Sequence, residues 1–142
     1  MKSSPLHAGW PELEKILAGQ RFAVLATQGT DAPYASLVCF AATPDLRRLL
    51  FPTRSGTRKF AHLDACPRVA LLIDNRSNEA RDYREAVAVS ALCEVSLDPG
   101  GQEEGERRAL LRARHADLAG FLAEPDCRIA AVNVSEYRLV TR

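Results

Sequence analysis

The chain lacks a strong charge of either sign. Its 142 residues carry 19 Lys and Arg against 18 Asp and Glu, which gives a formal net charge of +1. Proteins that bind nucleic acid or membrane surfaces through bulk charge have a clear basic excess, so we expect neither partner. No apolar run approaches the roughly 18 residues of a membrane span, and the first residues are too polar for a secretory leader. These absences predict a cytoplasmic protein.

Clustered cysteines and histidines are also missing. The four cysteines form no C-x-x-C pair and have no neighbouring histidine, and the three histidines are equally scattered. A disulfide framework or a zinc site needs such clustering. We therefore expect buried or inert thiols and no metal site. The residues concerned are Cys39, Cys66, Cys93 and Cys127, with His7, His62 and His115.

The composition that remains is that of an ordinary globular protein. Hydrophobic residues make up 46% of the chain and charged residues 26%, as in folded domains. A chain of this length can build one hydrophobic core. The sequence shows no linker, internal repeat or low-complexity segment, so we predict a single domain over residues 1–142.

Six apolar runs separated by turn residues predict strands. They span residues 22–27, 34–43, 49–53, 68–74, 86–97 and 128–141. The first three are joined by short turns, which indicates an antiparallel meander. Helical spacing of apolar residues predicts helices over 10–20, 60–65 and 103–123. Together these elements favour a mainly β (α+β) fold, a six-stranded antiparallel barrel with flanking helices.

The stretch from Phe51 to Phe60 carries the clearest functional signal. An apolar strand reaches Pro52, a short polar loop follows, and Arg58 and Lys59 open a helical segment. Backbone N–H groups at a helix start lack partners and carry partial positive charge, so they favour an anion. Loop hydroxyls and the two cations add donors that suit a phosphate monoester. A solvated basic turn is the alternative interpretation of the same ten residues.

Three sequence pieces together resemble the pyridoxamine 5'-phosphate oxidase-like family, the flavin-binding split barrels. The resemblance covers roughly residues 21–140, and the step from [ST]-R-K to P-R-V is moderately specific. The pieces are Gly29-x-x-x-Pro33-Tyr34-x-Ser36, then Phe51-x-Thr53-x-x-Gly56-Thr57-Arg58-Lys59, then Pro67-Arg68-Val69-Ala70-Leu71-Leu72-Ile73.

The resemblance implies a split β-barrel that forms a homodimer with FMN at the subunit interface. Arg58 and Lys59, with Thr57, would hold the FMN phosphate. Pro52 and Thr53 would line the isoalloxazine ring. The other implied contacts are Ser36, Leu37 and Val38 on the second predicted strand. Asn75, after the fourth predicted strand, would approach the FMN bound to its own subunit or to the partner subunit.

Two departures from the family pattern bear on the activity. Ser36 occupies a position where the vitamin-synthesising enzymes commonly carry a basic residue that helps to bind phosphate. The C-terminal extension that holds their pyridoxal substrate is not found after the last predicted strand. We therefore expect an FMN-dependent oxidoreductase that acts on a different small molecule.

No Ser/His/Asp, Cys/His or paired-carboxylate arrangement stands out, as expected where a bound cofactor supplies the chemistry. The acidic residues Asp74, Glu85 and Glu94 are interpreted as solvated charges at strand ends. Two alternatives stay open. One is a flavin-binding module without turnover, and the other is a haem-binding or haem-handling relative with His7 or His62 as candidate ligands. A deazaflavin would satisfy the same protein pattern.

Overall fold

Residues 2–4, 11–96 and 101–141 are described by the computed structural model of the chain. Within them, eight strands form one antiparallel sheet that curls into a half-open barrel, and the helices pack outside it or across its open end. The predicted helix start at Trp10, most of the predicted turn at 98–101, and His7 lie outside the described residues.

The strands pair in the order β3-β2-β6-β7-β8-β5-β4, and β1 pairs with β8. Their bounds are β1 Lys2–Ser4, β2 Phe22–Gln28, β3 Pro33–Cys39, β4 Ala41–Ala42, β5 Arg48–Arg54, β6 Arg68–Asp74, β7 Val87–Ser96 and β8 Cys127–Thr141. The mainly β, antiparallel, split-barrel prediction is confirmed. The count of six strands is low, because the second predicted strand divides at Phe40 into β3 and β4, and β1 was not predicted.

Five helices accompany the sheet in the described part of the chain, with one 3-10 turn at Ala116–Leu118. They are α1 Pro11–Gly19, α2 Arg58–Ala65, α3 Asp82–Glu85, α4 Gly101–Arg114 and α5 Ala119–Leu122. The predicted long helix over 103–123 is therefore broken at His115. The single turn α3 falls in a predicted loop, where the Asp82 carboxylate accepts backbone N–H groups of Ser77 and Asn78. All of these helices are too short or too polar to cross a bilayer.

Period-two alternation explains how the sheet buries one face. In β2 and β6 the odd-numbered residues point inward, and Leu25, Leu71 and Ile73 are fully buried in the main core. In β7 the odd-numbered Val89 and Ala91 are also fully buried. This core fills the interior of the curled sheet.

A second, smaller core lies between the outer surface of the sheet and the helices near the C-terminus. Leu50, Ile129 and Ala131 supply the sheet side, and Leu111 and Leu122 supply the helix side. Strand β5 is consequently buried on both faces, since its odd-numbered residues enter the main core and its even-numbered residues enter this one. Burial on both faces holds β5 rigidly in place.

Phe40 separates β3 from β4 and is held from three directions. Its side chain is fully buried in the main core. Its N–H group donates to the Arg21 carbonyl at 3.1 Å, and its carbonyl accepts from Nε2 of the buried His115 at 2.7 Å. The chain therefore changes direction at Phe40. After it, only Ala41 and Ala42 pair with β5.

Tyr137 offers a test of the packing around the next turn. Its ring is fully buried and its hydroxyl donates to the Leu46 carbonyl at 2.7 Å. Leu46 has a φ of 60°, a left-handed conformation that non-glycine residues rarely adopt. Replacing Tyr137 with Phe should lower the free energy of unfolding by about 1–2 kcal/mol, because the carbonyl loses its partner.

Urea denaturation measures this change, and Tyr83→Phe is the matched control because Tyr83 is 85% exposed. Equal stability of the Tyr137→Phe variant and the unaltered protein would contradict a supporting role for this hydrogen bond.

Candidate functional site

The sheet is split between β3 and the second half of β5. Strand β4 pairs only with Leu49 and Leu50, so residues 51–54 pair on one side alone, with β8. Strand β3 is the opposite edge of the sheet, and its Cα atoms approach those of β5 within 8 Å without forming a ladder. Two strand edges with unpaired backbone groups thus flank one opening, where a ligand can form hydrogen bonds with them.

Helix α2 begins at the end of this opening, directly after β5. The Thr57 hydroxyl caps it by accepting from the Phe60 N–H at 3.2 Å and donating to the Arg54 carbonyl at 2.9 Å. The N–H groups of Arg58 and Lys59 have no acceptor among the described residues. Thr57 therefore fixes the helix start, and the two amides without an acceptor at that start are potential donors for an anion. Direct contact of Thr57 with a phosphate stays a prediction.

The side chains of Arg58 and Lys59 have no carboxylate partner in the part of the chain that the structure describes. The nearby Arg54 is different, because it forms ion pairs with Glu124 at 2.6 Å and Asp126 at 3.1 Å. The end of β5 thus carries a neutralised cation, and the start of α2 carries two without a carboxylate partner. Two unpaired cations are what an anion site requires, and a solvated basic turn stays the alternative interpretation.

Lys59 is half-buried, and burial lowers the pKa of its ammonium group. The ammonium interacts electrostatically with the thiol of Cys39 at the last residue of β3. Burial raises the pKa of that thiol, and Lys59 opposes the rise. A cation held partly out of water without a counter-charge is destabilising by itself, and a bound anion would relieve that.

Two hydroxyl groups on the walls of the opening lack partners. The side-chain oxygen atoms of Ser36 on β3 and Thr53 on β5 are buried and have no hydrogen-bond partner among the described residues. Thr53 is only 2% exposed. Buried hydroxyls without partners are uncommon because each one costs about 1–3 kcal/mol. Both residues were predicted from the resemblance to contact the cofactor, and that contact stays a prediction.

The other residues predicted to contact the cofactor differ in burial. Val38 and Pro52 are buried on the two edge strands, whereas the side chain of Leu37 points outward and is 66% exposed. Asn75 follows β6, and its Oδ1 accepts from the Val87 N–H at 2.8 Å, so its described side-chain hydrogen bond is to the first residue of β7. Its contact with the cofactor stays a prediction.

An apolar surface covers the outward side of β3, β2 and β6, and we call it the outer sheet face. Leu37 and Leu72 lie on either side of Val24 in the strand register, and Phe22 is 55% exposed beside them. Val140 is also exposed on the outward side, across from Ala88. A contiguous apolar surface of this kind commonly marks a contact with another protein.

Sequence reasoning missed a polar cluster beside α2. His62 Nδ1 lies 3.1 Å from the Thr27 hydroxyl, which donates to the Tyr34 carbonyl at 3.3 Å. The Tyr34 and His62 rings meet edge to face at 5.6 Å, and the Arg58 guanidinium lies 5.6 Å from the centre of the Tyr34 ring. The i, i+4 spacing of Arg58 and His62 was the available signal, since it places both on one helix face.

The cysteines and acidic residues that were predicted to lie outside the site are placed as follows. All four cysteines are free thiols, and Cys93 and Cys127 are buried, but Cys39 lies at the outward side of an edge strand rather than in the core. Asp74 pairs with Arg76 at 3.2 Å, and Glu85 and Glu94 are exposed. The described residues contain no cluster of three potential metal ligands.

Comparison with known proteins identifies the family. A family model described as pyridoxamine 5'-phosphate oxidase matches residues 10–140. The chain belongs to the pyridoxamine 5'-phosphate oxidase family. The motif 57–59 at the start of α2 and the strand at 68–74 both fall within the matched region of the family model. No curated protein matches the sequence.

Solved structures with the same fold bind different molecules, according to their descriptions. A haem-binding protein from Mycobacterium smegmatis is 22% identical with a TM-score of 0.80, over 91% of this chain and 52% of its own. HutZ, the haem storage protein from Vibrio cholerae, is 15% identical with a TM-score of 0.78, over 92% of each chain. An FAD-binding protein from Mesorhizobium loti is 16% identical with a TM-score of 0.71, over 99% of this chain and 100% of its own.

At these identities the likeness shows the shared fold alone. The chain spans about half the length of the Mycobacterium smegmatis protein. The choice between cofactors therefore depends on the side chains of this chain.

Proposed function

We propose that the chain binds FMN in the opening between β3 and β5 and acts as an FMN-dependent oxidoreductase on a small molecule. The observation that carries the proposal is the pair of uncompensated cations, Arg58 and Lys59, at the start of α2. The unpartnered hydroxyls of Ser36 and Thr53 lie on the two strands that flank the opening. A phosphate at one end and a planar polar ring along the strand edges would satisfy both features.

Each part of the site has a physical task in this proposal. Arg58 and Lys59 hold the phosphate through charge-assisted hydrogen bonds. The backbone edges of β3 and of β5 around Pro52 and Thr53 orient the ring. Bound FMN supplies the hydride acceptor, so the protein needs to position the substrate and exclude water rather than provide a nucleophile.

Absorbance of the purified protein, with mass analysis of any released ligand, tests the cofactor directly. Flavin bands and the mass of FMN are expected. Bleaching by NAD(P)H, with return of colour in air, is expected of an oxidoreductase and not of a flavin-binding module without turnover. A Soret band or a deazaflavin mass would overturn the assignment of FMN.

Removing both cations should weaken FMN binding selectively. In the variant Arg58→Ala, Lys59→Ala, FMN affinity should fall at least about tenfold, because charged hydrogen bonds contribute about 1.5–3 kcal/mol each. Riboflavin, which lacks the phosphate, should bind this variant and the unaltered protein equally. Fluorescence titration with both ligands measures the effect.

The control variant Lys15→Ala, Arg112→Ala removes two positive charges from exposed positions on α1 and α4. It should leave FMN affinity within about twofold of the unaltered protein. A similar loss in both double variants would reveal a general charge effect and reject the phosphate assignment.

The lowered pKa of Lys59 predicts how FMN binding depends on pH. A bound phosphate favours the ammonium form, so affinity should be full below the pKa of the free protein's Lys59 and fall as the pH rises through it. Because burial lowers that pKa, the affinity for FMN should begin to fall at a pH below the usual lysine pKa of about 10.4. The ratio of FMN to riboflavin affinity, measured from pH 7 to 10, isolates the phosphate from titration of the ring.

Lys59→Arg keeps a charge that does not titrate in this range. Its affinity ratio should therefore stay level across the alkaline range. An unchanged alkaline fall in that variant would assign the titration to another group.

We further propose a homodimer that covers the outer sheet face, with FMN at the subunit interface. The support is the exposed apolar surface formed by Phe22, Leu37 and Leu72, which is continuous with edge strand β3. In such a dimer Asn75 would approach the cofactor of its own or of the partner subunit.

Charges on the outer sheet face should disrupt this dimer. The variant Leu37→Glu, Leu72→Glu should sediment as a monomer at micromolar concentration and lose FMN affinity, because carboxylates would have to be buried at the interface. The control Ala109→Glu, Ala119→Glu places the same charges on exposed helical positions. A monomeric unaltered protein with bound FMN would contradict the proposed interface.

A further inference from the structure

The Arg58 side chain is held at the ring of Tyr34. Arg58 is exposed and has no ion pair among the described residues, so its cation–π contact with Tyr34 at 5.6 Å is what orients it. Contact with an aromatic face uses none of the five guanidinium N–H donors. The cation is therefore oriented while its donors stay free for an anion.

The Tyr34 ring packs against His62, and the Tyr34 backbone is tied to the same cluster. The backbone carbonyl of Tyr34 accepts from the Thr27 hydroxyl at 3.3 Å. The same hydroxyl lies within hydrogen-bond distance of Nδ1 of His62, at 3.1 Å. The His62 ring then meets the Tyr34 ring at 87° and 5.6 Å. Thr27 is 2% exposed, so this support is anchored in the core.

Close packing restrains His62 from its other side. A Cβ atom at Gly29 would lie 3.0 Å from both Cε1 and Nε2 of the imidazole and 2.7 Å from the Ala32 carbonyl. The glycine lets the 29–32 turn approach the ring closely. With Thr27 on one side and this turn on the other, the imidazole has little room to rotate.

We infer that Tyr34, supported by His62, is a positioning residue that pre-orients Arg58 for the phosphate of the ligand. A mobile arginine loses about 0.5–1.5 kcal/mol of side-chain entropy when a ligand immobilises it. Tyr34 reduces this loss because Arg58 is restricted before binding. The inference rests on the proposed FMN site and adds residues that contact Arg58 rather than the ligand.

The test compares FMN with riboflavin in Tyr34→Leu and Tyr34→Phe. Tyr34→Leu should lose FMN affinity by about two- to fivefold, the range of an exposed cation–π contact, with riboflavin affinity unchanged. Tyr34→Phe keeps the ring and should match the unaltered protein, because the Tyr34 hydroxyl has no hydrogen bond among the described residues. His62→Leu should reproduce part of the loss of Tyr34→Leu.

A double-mutant cycle distinguishes positioning from a general structural role. In the Arg58→Ala background, Tyr34→Leu should have no further effect on FMN affinity, because the group it positions is absent. Equal losses for FMN and riboflavin, or the same loss with and without Arg58, would overturn the inference.

The two proposals can fail separately. If the unaltered protein binds FMN no better than riboflavin, the phosphate site fails and this inference fails with it. If the unaltered protein prefers FMN but Tyr34→Leu keeps the full preference, the site stands and the positioning role of Tyr34 is rejected.

Discussion

The split in the sheet depends on how Phe40 is held. One residue, buried and hydrogen-bonded through both its N–H and its carbonyl group, ends β3 and limits β4 to two residues. If the chain before Ala41 ran straight in line with β4, residues 37–40 would face residues 51–54 in the antiparallel register of β4 and β5 and close the barrel. Instead residues 51–54 and β3 face each other with unpaired edges, and α2 starts where they end. The position of the candidate site is thus set by a bend in the core and not by the loop that carries the cations.

Stability and binding make opposite demands on the residues at this opening. Arg54 is neutralised by two carboxylates and lies over the Phe121 ring at 4.8 Å, which is how a cation contributes to a fold. Lys59 is partly buried without a counter-charge, and the Thr53 hydroxyl is buried without a partner. Each lowers stability in the absence of a ligand, and residues of this kind are typical of binding sites.

Most strands could be predicted from the sequence because alternation and turn residues are local signals. The N-terminal half of α2 could also be anticipated, since a threonine followed by two cations after a strand is a local pattern. The break between β3 and β4 could not, because it depends on His115, which is 75 residues from Phe40. The predicted helix over 103–123 failed at the same residue. His115 ends α4, and its imidazole ring is what reaches Phe40.

The predicted site residues stay predictions, and the sequence was most informative about those whose role depends on side-chain chemistry alone. Arg58 and Lys59 are unpaired, as a phosphate site requires. Thr57 has the right chemistry for a ligand contact, yet its hydroxyl donates and accepts within the helix cap. Tyr34 was quoted only as part of a motif, because its contact with Arg58 depends on how α2 packs beside β3. The spacing of residues in the sequence does not show how α2 packs beside β3.

The same contacts limit how a histidine of this chain could serve as an axial haem ligand. An axial ligand must present a free nitrogen, sulfur or oxygen atom to iron. Of the two histidines that the structure describes, His115 is buried with Nε2 on the Phe40 carbonyl, and His62 has Nδ1 on Thr27 and Nε2 facing Gly29. Ligation by His115 would break the bend that creates the split, and ligation by His62 would displace the 29–32 turn. Phosphate binding at α2, as proposed for FMN, requires neither change.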